Sequence, residues 1–380
     1  MALRSKEILI VAGERSGDLH GASLVRELMG RDRDLTFFGI GGDAMGEAGV
    51  ELLEHADRMA VVGFTEVVGK YLFLRSVFRR TLRQCEWRKP VRAILIDYPG
   101  FNLTLARRLT GMGIPVTYFI PPQVWAWRET RVEALKRHVD QILCIFPFEP
   151  EWYARRGVTV TFVGHPLLDD EEGSVTEETF RSRHGLKPEV VTVGLMPGSR
   201  QHEVNRHLPV MVEAVRRLRH GGYAVQAVIG KGRGVELERV DRSLCSVEEE
   251  SPQLVLRFAE LGVVASGTAT LEGALYGTPC VVVYRMSPLS WEIGRRLARV
   301  DFVSLPNLIA GREVFPELLQ RKATGEQVES VLKRWIDSPA RRERVMAELD
   351  EVRGKLGTPG AAGRAAALIV EKLGRTVEIP

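Results

Sequence analysis

The chain has 380 residues, 44% apolar and 27% charged, with a net charge of +4; that is too long for one ordinary core, suits two soluble domains, and excludes a globally basic nucleic-acid binder. No segment approaches the roughly 18 uninterrupted apolar residues that span a bilayer, and residues 1–7 lead straight into a strand pattern with no signal-peptide run. The four cysteines, Cys85, Cys144, Cys245 and Cys280, form no CxxC pair, which points to a reducing compartment and away from a zinc site or a disulfide framework.

Residues 7–12 form a short apolar run ending at Gly13, the pattern of a buried parallel strand, and a helix is expected over 17–29. Further strands are expected over 35–40, 93–97, 115–120, 141–145 and 158–163, with a helix near 103–111, which makes a six-stranded parallel sheet of βαβ units. Residues 71–85 read as a helix with Leu74, Val77, Phe78, Leu82 and Cys85 on one face and Arg75, Arg79 and Arg83 on an adjacent one. That pattern suits a helix lying on an anionic membrane or gripping acyl chains, and equally a core helix with a solvated basic flank. The acidic stretch 169–174 reads as a linker. Beyond it the alternation restarts: strands over 190–196, 224–229, 262–265 and 279–284, helices over 202–220 and 270–276, then a helical tail over 325–373. The expected division is an N-terminal domain over 1–170, a C-terminal domain over 171–340, and a tail over 341–380 that packs back on the first domain.

Four loops follow predicted strands, where open α/β sheets place ligands. The first runs from Gly13 through Ser16, Gly17 and Asp18 to Gly21. Its glycines allow close backbone approach, but the spacing is not GxGxxG, so the dinucleotide fingerprint is absent. The second, Pro197-Gly198-Ser199-Arg200 with Glu203 one turn on, suits a diphosphate: helix N–H groups and dipole favour an anion and Arg200 adds a forked donor. A capping role for Ser199 is the plainer alternative. The third, Ser266-Gly267-Thr268 followed by Glu272, offers hydroxyls ahead of a helix and a carboxylate for a ribose diol, although Glu in a first helical turn is favoured anyway. The fourth, Asp97-Tyr98-Pro99-Gly100-Phe101-Asn102, ends an apolar strand on Asp97, a candidate general base expected to point into the cleft between domains. An Asx-turn into Pro99 is its alternative, and His20 is a competing base. Trp125 and Trp127 read as core or cleft wall, and 306–312 as a loop rich in amide groups.

Taken together, these loops resemble lipid A disaccharide synthase. The resemblance rests on AGERSGD at 12–18, FGIGG at 38–42, VVGFTEV at 61–67, IDYPGFN at 96–102, PPQVWAW at 121–127, FPFE at 146–149, FVGHPL at 162–167, PGSRQHEV at 197–204, ASGTATLE at 265–272 and SLPNLIAGREVFPELLQ at 304–320. It implies an α/β glycosyltransferase B fold, two Rossmann-like domains facing across a cleft. The implied reaction moves 2,3-diacylglucosamine from UDP-2,3-diacylglucosamine to the 6-hydroxyl of lipid X, releasing UDP and forming a β(1→6) disaccharide with inversion. It implies Asp97 and Arg200 as catalytic residues and Ser16, Gly17, Gly198, Ser199, Ser266, Gly267, Thr268, Glu272 and Asn307 as UDP-sugar contacts. No metal or other cofactor is implied. Leu74, Val77, Phe78, Leu82, Arg75 and Arg79 become candidate membrane or acyl-chain contacts. The implied partners are the two lipid substrates and an anionic membrane surface, with no nucleic acid and a homodimer left open. The implied location is cytoplasmic, peripheral to the inner face of the membrane. The family loop commonly reads D-x-P-D-F-N, and here Gly100 stands at the second Asp; residues 230–251 follow the family pattern poorly. The nearest alternative is another enzyme of the same architecture, a UDP-N-acetylglucosamine 2-epimerase or a lipid-intermediate glycosyltransferase. Farther off lie a non-catalytic nucleotide or lipid binder and a nicotinamide oxidoreductase.

Overall fold

The computed structural model describes residues 6–59, 67–126, 129–169, 175–237, 240–287, 291–292, 296 and 300–377. The expected motif segment 61–66, Trp127 and the linker segment 170–174 lie outside the described residues. The chain divides into two compact units, Met1–Asp170 with Leu356–Pro380, and Glu171–Lys355.

The first unit holds a parallel sheet of β1 (Lys6–Ala12), β2 (Leu35–Gly41), β3 (Val50–His55), β4 (Arg92–Ile96), β5 (Val116–Phe119), β6 (Gln141–Cys144) and β7 (Thr161–Phe162), in the order β3-β2-β1-β4-β5-β6-β7. The central strands β1 and β4 are apolar because helices cover both faces of such a sheet. β3 was not expected. As an edge strand it carries polar residues, Glu51 turned to solvent and Glu54 buried under Arg58 and Arg80 at 2.8 and 2.6 Å, so no apolar run marks it. The sheet therefore has seven strands rather than six.

The Val67–Arg88 helix confirms the helical periodicity and decides its orientation. Val77 and Cys85 are buried, and Leu74, Phe78 and Leu82 pack on the unit's core. The face proposed for acyl chains thus points inward. Outward stand Tyr71 and Leu72, 62% and 59% exposed, with Arg75, Arg79 and Arg83. The last helix, Ala361–Val377, packs on the Arg15–Arg31 helix. Asp169, expected in a linker, caps it by accepting from the N–H groups of Gly360, Ala361 and Ala362 at 2.5, 3.3 and 3.3 Å.

The second unit holds β8 (Val191–Met196), β9 (Val225–Gly230), β10 (Cys245–Glu248), β11 (Leu261–Ala265), β12 (Cys280–Tyr284) and β13 (Glu317–Leu319), all parallel, in the order β10-β9-β8-β11-β12-β13. The short outer strands β10 and β13 were not expected either. The tail is three helices, Gly325–Ile336, Pro339–Lys355 and Ala361–Val377, of which the first two belong to the second unit. Among the described residues no helix is long and apolar enough to cross a membrane.

In each unit the strand order reverses once, between β1 and β4 and between β8 and β11. Ala12 pairs with Ile96, and Val264 with Met196. The four loops singled out in the sequence are therefore two neighbouring pairs, each at a switch point where chains leave in opposite directions and a crevice opens.

Candidate functional site

In the first unit the pair is the loop after β1 and the corner after β4. Asp97 and Tyr98 both occupy the left-handed region, with φ of 43° and 46°. For residues with a side chain this costs about 1–3 kcal/mol each, so neighbours must hold the corner. Asn102 Nδ2 donates to the carbonyls of Ile96 and Asp97 at 3.1 and 2.9 Å. The Tyr118 hydroxyl donates to the Asp97 carbonyl at 2.6 Å, and the Tyr98 hydroxyl to the Met59 carbonyl at 3.0 Å. Gly13 makes room for the Tyr98 ring: a Cβ there would lie 2.4 Å from Tyr98 Cδ1. Phe78 packs edge-on against Phe101 at 5.4 Å, which ties the Val67–Arg88 helix to the same corner.

The result is a carboxylate in a fixed place with a shifted proton affinity. Burial, then the charge of Glu14, push the Asp97 carboxyl up to about 6, while the Tyr98 N–H pulls the other way. A base tuned toward neutrality is suited to taking a hydroxyl proton. His20 behaves differently: burial lowers its imidazole to about 4 against the opposing pull of Asp169, so it is neutral near pH 7.

The remaining residues of these loops divide between surface and scaffold. Ser16 is exposed and Gly17 is buried, a Cβ on the latter reaching within 3.2 Å of Ala12 Cβ. Asp18 is a buried support whose carboxylate accepts from Gly42, Ala44 and Met45 N–H at 2.6, 3.1 and 3.0 Å. Trp125 is core, donating to the buried Glu149 at 3.1 Å.

In the second unit the pair is Pro197–Arg200 and Ser266–Thr268. Ahead of the Gln201–His220 helix, Glu203 folds back, accepting from Ser199 and Arg200 N–H at 3.2 and 3.3 Å and meeting the Arg200 guanidinium at 3.4 Å. Gly198, at φ 122°, allows this, since a Cβ would lie 2.7 Å from Glu203 Oε2. Glu203 rather than Ser199 thus caps the helix, and two N–H groups expected to meet an anion are already engaged. The Arg200 side chain is 66% exposed. The Thr268–Leu275 helix has the opposite character. Gly267, at φ 121°, provides no side-chain cap, so the first N–H groups keep their affinity for an anion. The Ser266 hydroxyl donates to Val303 O at 3.1 Å and is spent on the loop, while Thr268 is exposed. Glu272 is the fifth residue of that helix, past the first turn, so the dipole does not account for it.

Asn307 is 0% exposed, and its amide is fully used. Nδ2 donates to Phe315 O and Glu317 Oε1 at 2.8 and 2.9 Å, and Oδ1 accepts from Val314 and Phe315 N–H, both at 2.8 Å. With two donors and two acceptor positions filled, the side chain shapes its loop and has nothing left for a nucleotide. Glu317, which sequence reasoning missed, braces the same loop by accepting from the N–H groups of Val303 and Ser304. Tyr118, Asn102 and His207 were missed too, because each acts through a backbone group that only the fold brings near.

A family model described as "Lipid-A-disaccharide synthetase" matches residues 8–359. The lipid-A-disaccharide synthase of Syntrophus aciditrophicus (strain SB) is 43% identical over 373 residues, 96% of this chain and 97% of that protein. Among solved structures, the UDP-GlcNAc 2-epimerase of Neisseria meningitidis bound to UDP-GlcNAc has a TM-score of 0.62 at 12% identity, covering 97% of this chain and 100% of that one. The calicheamicin glycosyltransferase CalG4 has a TM-score of 0.59 at 14% identity, covering 98% and 100%. These likenesses show the glycosyltransferase B fold, which epimerases and transferases share; the 43% relative separates the two and disfavours the epimerase alternative.

Proposed function

This chain belongs to the lipid-A-disaccharide synthase family, and on that premise we propose how its two loop pairs divide the chemistry. The activity is a glycosyl transfer that forms the lipid A disaccharide. The donor is UDP-2,3-diacylglucosamine and the acceptor lipid X. In one inverting displacement the acceptor 6-hydroxyl oxygen bonds to the anomeric carbon as the bond from that carbon to UDP breaks. The hydroxyl proton passes to Asp97, and the electron pair leaves with the diphosphate. Arg200 and the uncapped start of the Thr268–Leu275 helix stabilise that leaving charge, and Glu272 takes the ribose diol.

The observation that carries the base assignment is the Asp97 corner, two strained residues clamped by Asn102 and Tyr118, with a carboxyl raised to about 6. Strain of this kind persists where the surroundings over-determine it. The enzyme works at the inner face of the cytoplasmic membrane, resting there through Tyr71, Leu72 and the arginines beside them, which carry no ion pair among the described residues. The test is incubation of purified protein with labelled UDP-2,3-diacylglucosamine and lipid X. Stoichiometric UDP and a tetra-acyl disaccharide phosphate are expected; hydrolysis of the donor without disaccharide would remove the substrate assignment.

A further inference from the structure

His207 lies in the second turn of the Gln201–His220 helix, fully buried, and its ring joins two loops of the second unit. Nδ1 stands 2.9 Å from the Pro197 carbonyl oxygen, and the Arg285 N–H donates to Nε2 at 2.9 Å, with the Arg285 carbonyl oxygen 3.3 Å from the same nitrogen. An N–H can donate only to a bare ring nitrogen. The shorter of the two Nε2 contacts is the one with the N–H, which selects the tautomer: Nε2 carries no proton, and Nδ1–H donates to Pro197. Pro197 opens the loop that ends in Arg200. Arg285 follows β12, and its Nε donates to Gln320 O at 3.3 Å. The sheet order puts β12 beyond β11 from β8, so the His207 ring bridges across the loop of the strand between them.

We propose that His207 is a positioning residue: through both nitrogens its buried ring latches the Pro197–Arg200 loop to the loop after β12, and so holds Arg200 where it meets the donor's diphosphate. This rests on the reading of Arg200 as a diphosphate ligand. The charged and titratable groups around the ring are Glu203 and Arg206 from its own helix and Tyr284, 5.5 Å away ring to ring, with Arg285 from the β12 side. Burial holds the imidazole below its usual range, bonding to the Pro197 and Arg285 carbonyl oxygens opposes that, and Glu203 and Arg206 act in opposite senses. With a carbonyl oxygen beside each ring nitrogen, the latch has a partner at both ends in either protonation state.

The test compares UDP binding by calorimetry in the full-length protein and in His207→Gln, His207→Asn and Arg200→Ala, from pH 8 to pH 5. A glutamine Oε1 can accept where Nε2 does and does not titrate; asparagine reaches only toward Pro197. The His207→Asn protein should bind UDP about tenfold more weakly at every pH, since a buried N–H loses its acceptor. The His207→Gln protein should match the parent from pH 8 to pH 5; taking the ratio cancels the ionisation of UDP itself. Hydrogen exchange at the Arg285 amide should quicken in His207→Asn and stay slow in His207→Gln. Parent-like UDP affinity in His207→Asn, or UDP binding in His207→Gln about tenfold weaker than the parent's, would overturn the proposal, and the Gln comparison decides if the Asn variant does not fold. Unchanged UDP affinity in Arg200→Ala would instead sink the diphosphate reading, with the latch still judged by Arg285 exchange.

Discussion

The Tyr118 hydroxyl donates to the carbonyl oxygen of Asp97 at 2.6 Å, from the strand next to the one that delivers Asp97. It is one of two bonds to that carbonyl, the other coming from Asn102. Tyr118→Phe leaves the Asn102 bond in place and should lower stability by about 1 kcal/mol. Asn102→Leu strips bonds from two carbonyls and should cost more, about 2–4 kcal/mol. Both should lower kcat more than they raise KM, because the corner aims a reacting group. Denaturant unfolding and steady-state kinetics check this; full kcat in Tyr118→Phe would mean the corner holds without its hydroxyl.

Asp97 acts as a carboxylate, so kcat/KM should rise as pH passes through about 6 and level off above it. Glu14→Gln removes the second-largest cause of the shift and should move that limb to lower pH. Asp97→Asn should cut kcat by about 10²- to 10⁴-fold with UDP binding intact. The folded-state carboxyl is raised, so Asp97 favours folding below its unfolded value and that contribution disappears as pH rises through about 6. Asp97→Asn should therefore be the more stable protein at pH 7 and lose that advantage toward pH 4. A pH series of melting curves reads this directly.

Two glycines of the same corner should respond in opposite ways. Gly13→Ala drives a methyl into the Tyr98 ring and should destabilise by about 1–3 kcal/mol while lowering kcat. Gly100 has no atom within 4 Å of a built Cβ, so Gly100→Asp, which restores the commoner loop, should change stability by no more than about 0.5 kcal/mol. A large loss for Gly100→Asp would contradict the open space beside it.

The two faces of the Val67–Arg88 helix should separate in a vesicle-binding assay. Substituting Arg75, Arg79 and Arg83 by Gln, or Tyr71 and Leu72 by Ser, should weaken binding to anionic vesicles without lowering the melting temperature, and the arginine effect should fade in high salt. Val77→Ala should lower stability by about 1–3 kcal/mol and leave vesicle binding alone. Equal vesicle binding by all these proteins would return the exposed face to a merely solvated one.

Much of the fold was legible in the sequence because its signals are local. Apolar runs closed by glycine at Gly13 and after Met196 mark buried parallel strands, and alternating helices make the connections parallel, so the doubly wound class and its four ligand-facing loops followed from period and spacing alone. The edge strands escaped because an edge needs no apolar run: Glu54 in β3 is held by Arg58, four residues on, and by Arg80 from the Val67–Arg88 helix.

What the chain order by itself determined is where the loops lie and which residue types they carry, since backbone geometry ties side-chain periodicity to secondary structure. What only the tertiary structure decided is how each polar group is spent. Hydrogen-bonding capacity is finite and is satisfied by partners that only the fold brings near: Asn307 is used up on Val314, Phe315 and Glu317, and Asp18 on Gly42, Ala44 and Met45, whereas burial and the charge of Glu14 raise the Asp97 carboxyl.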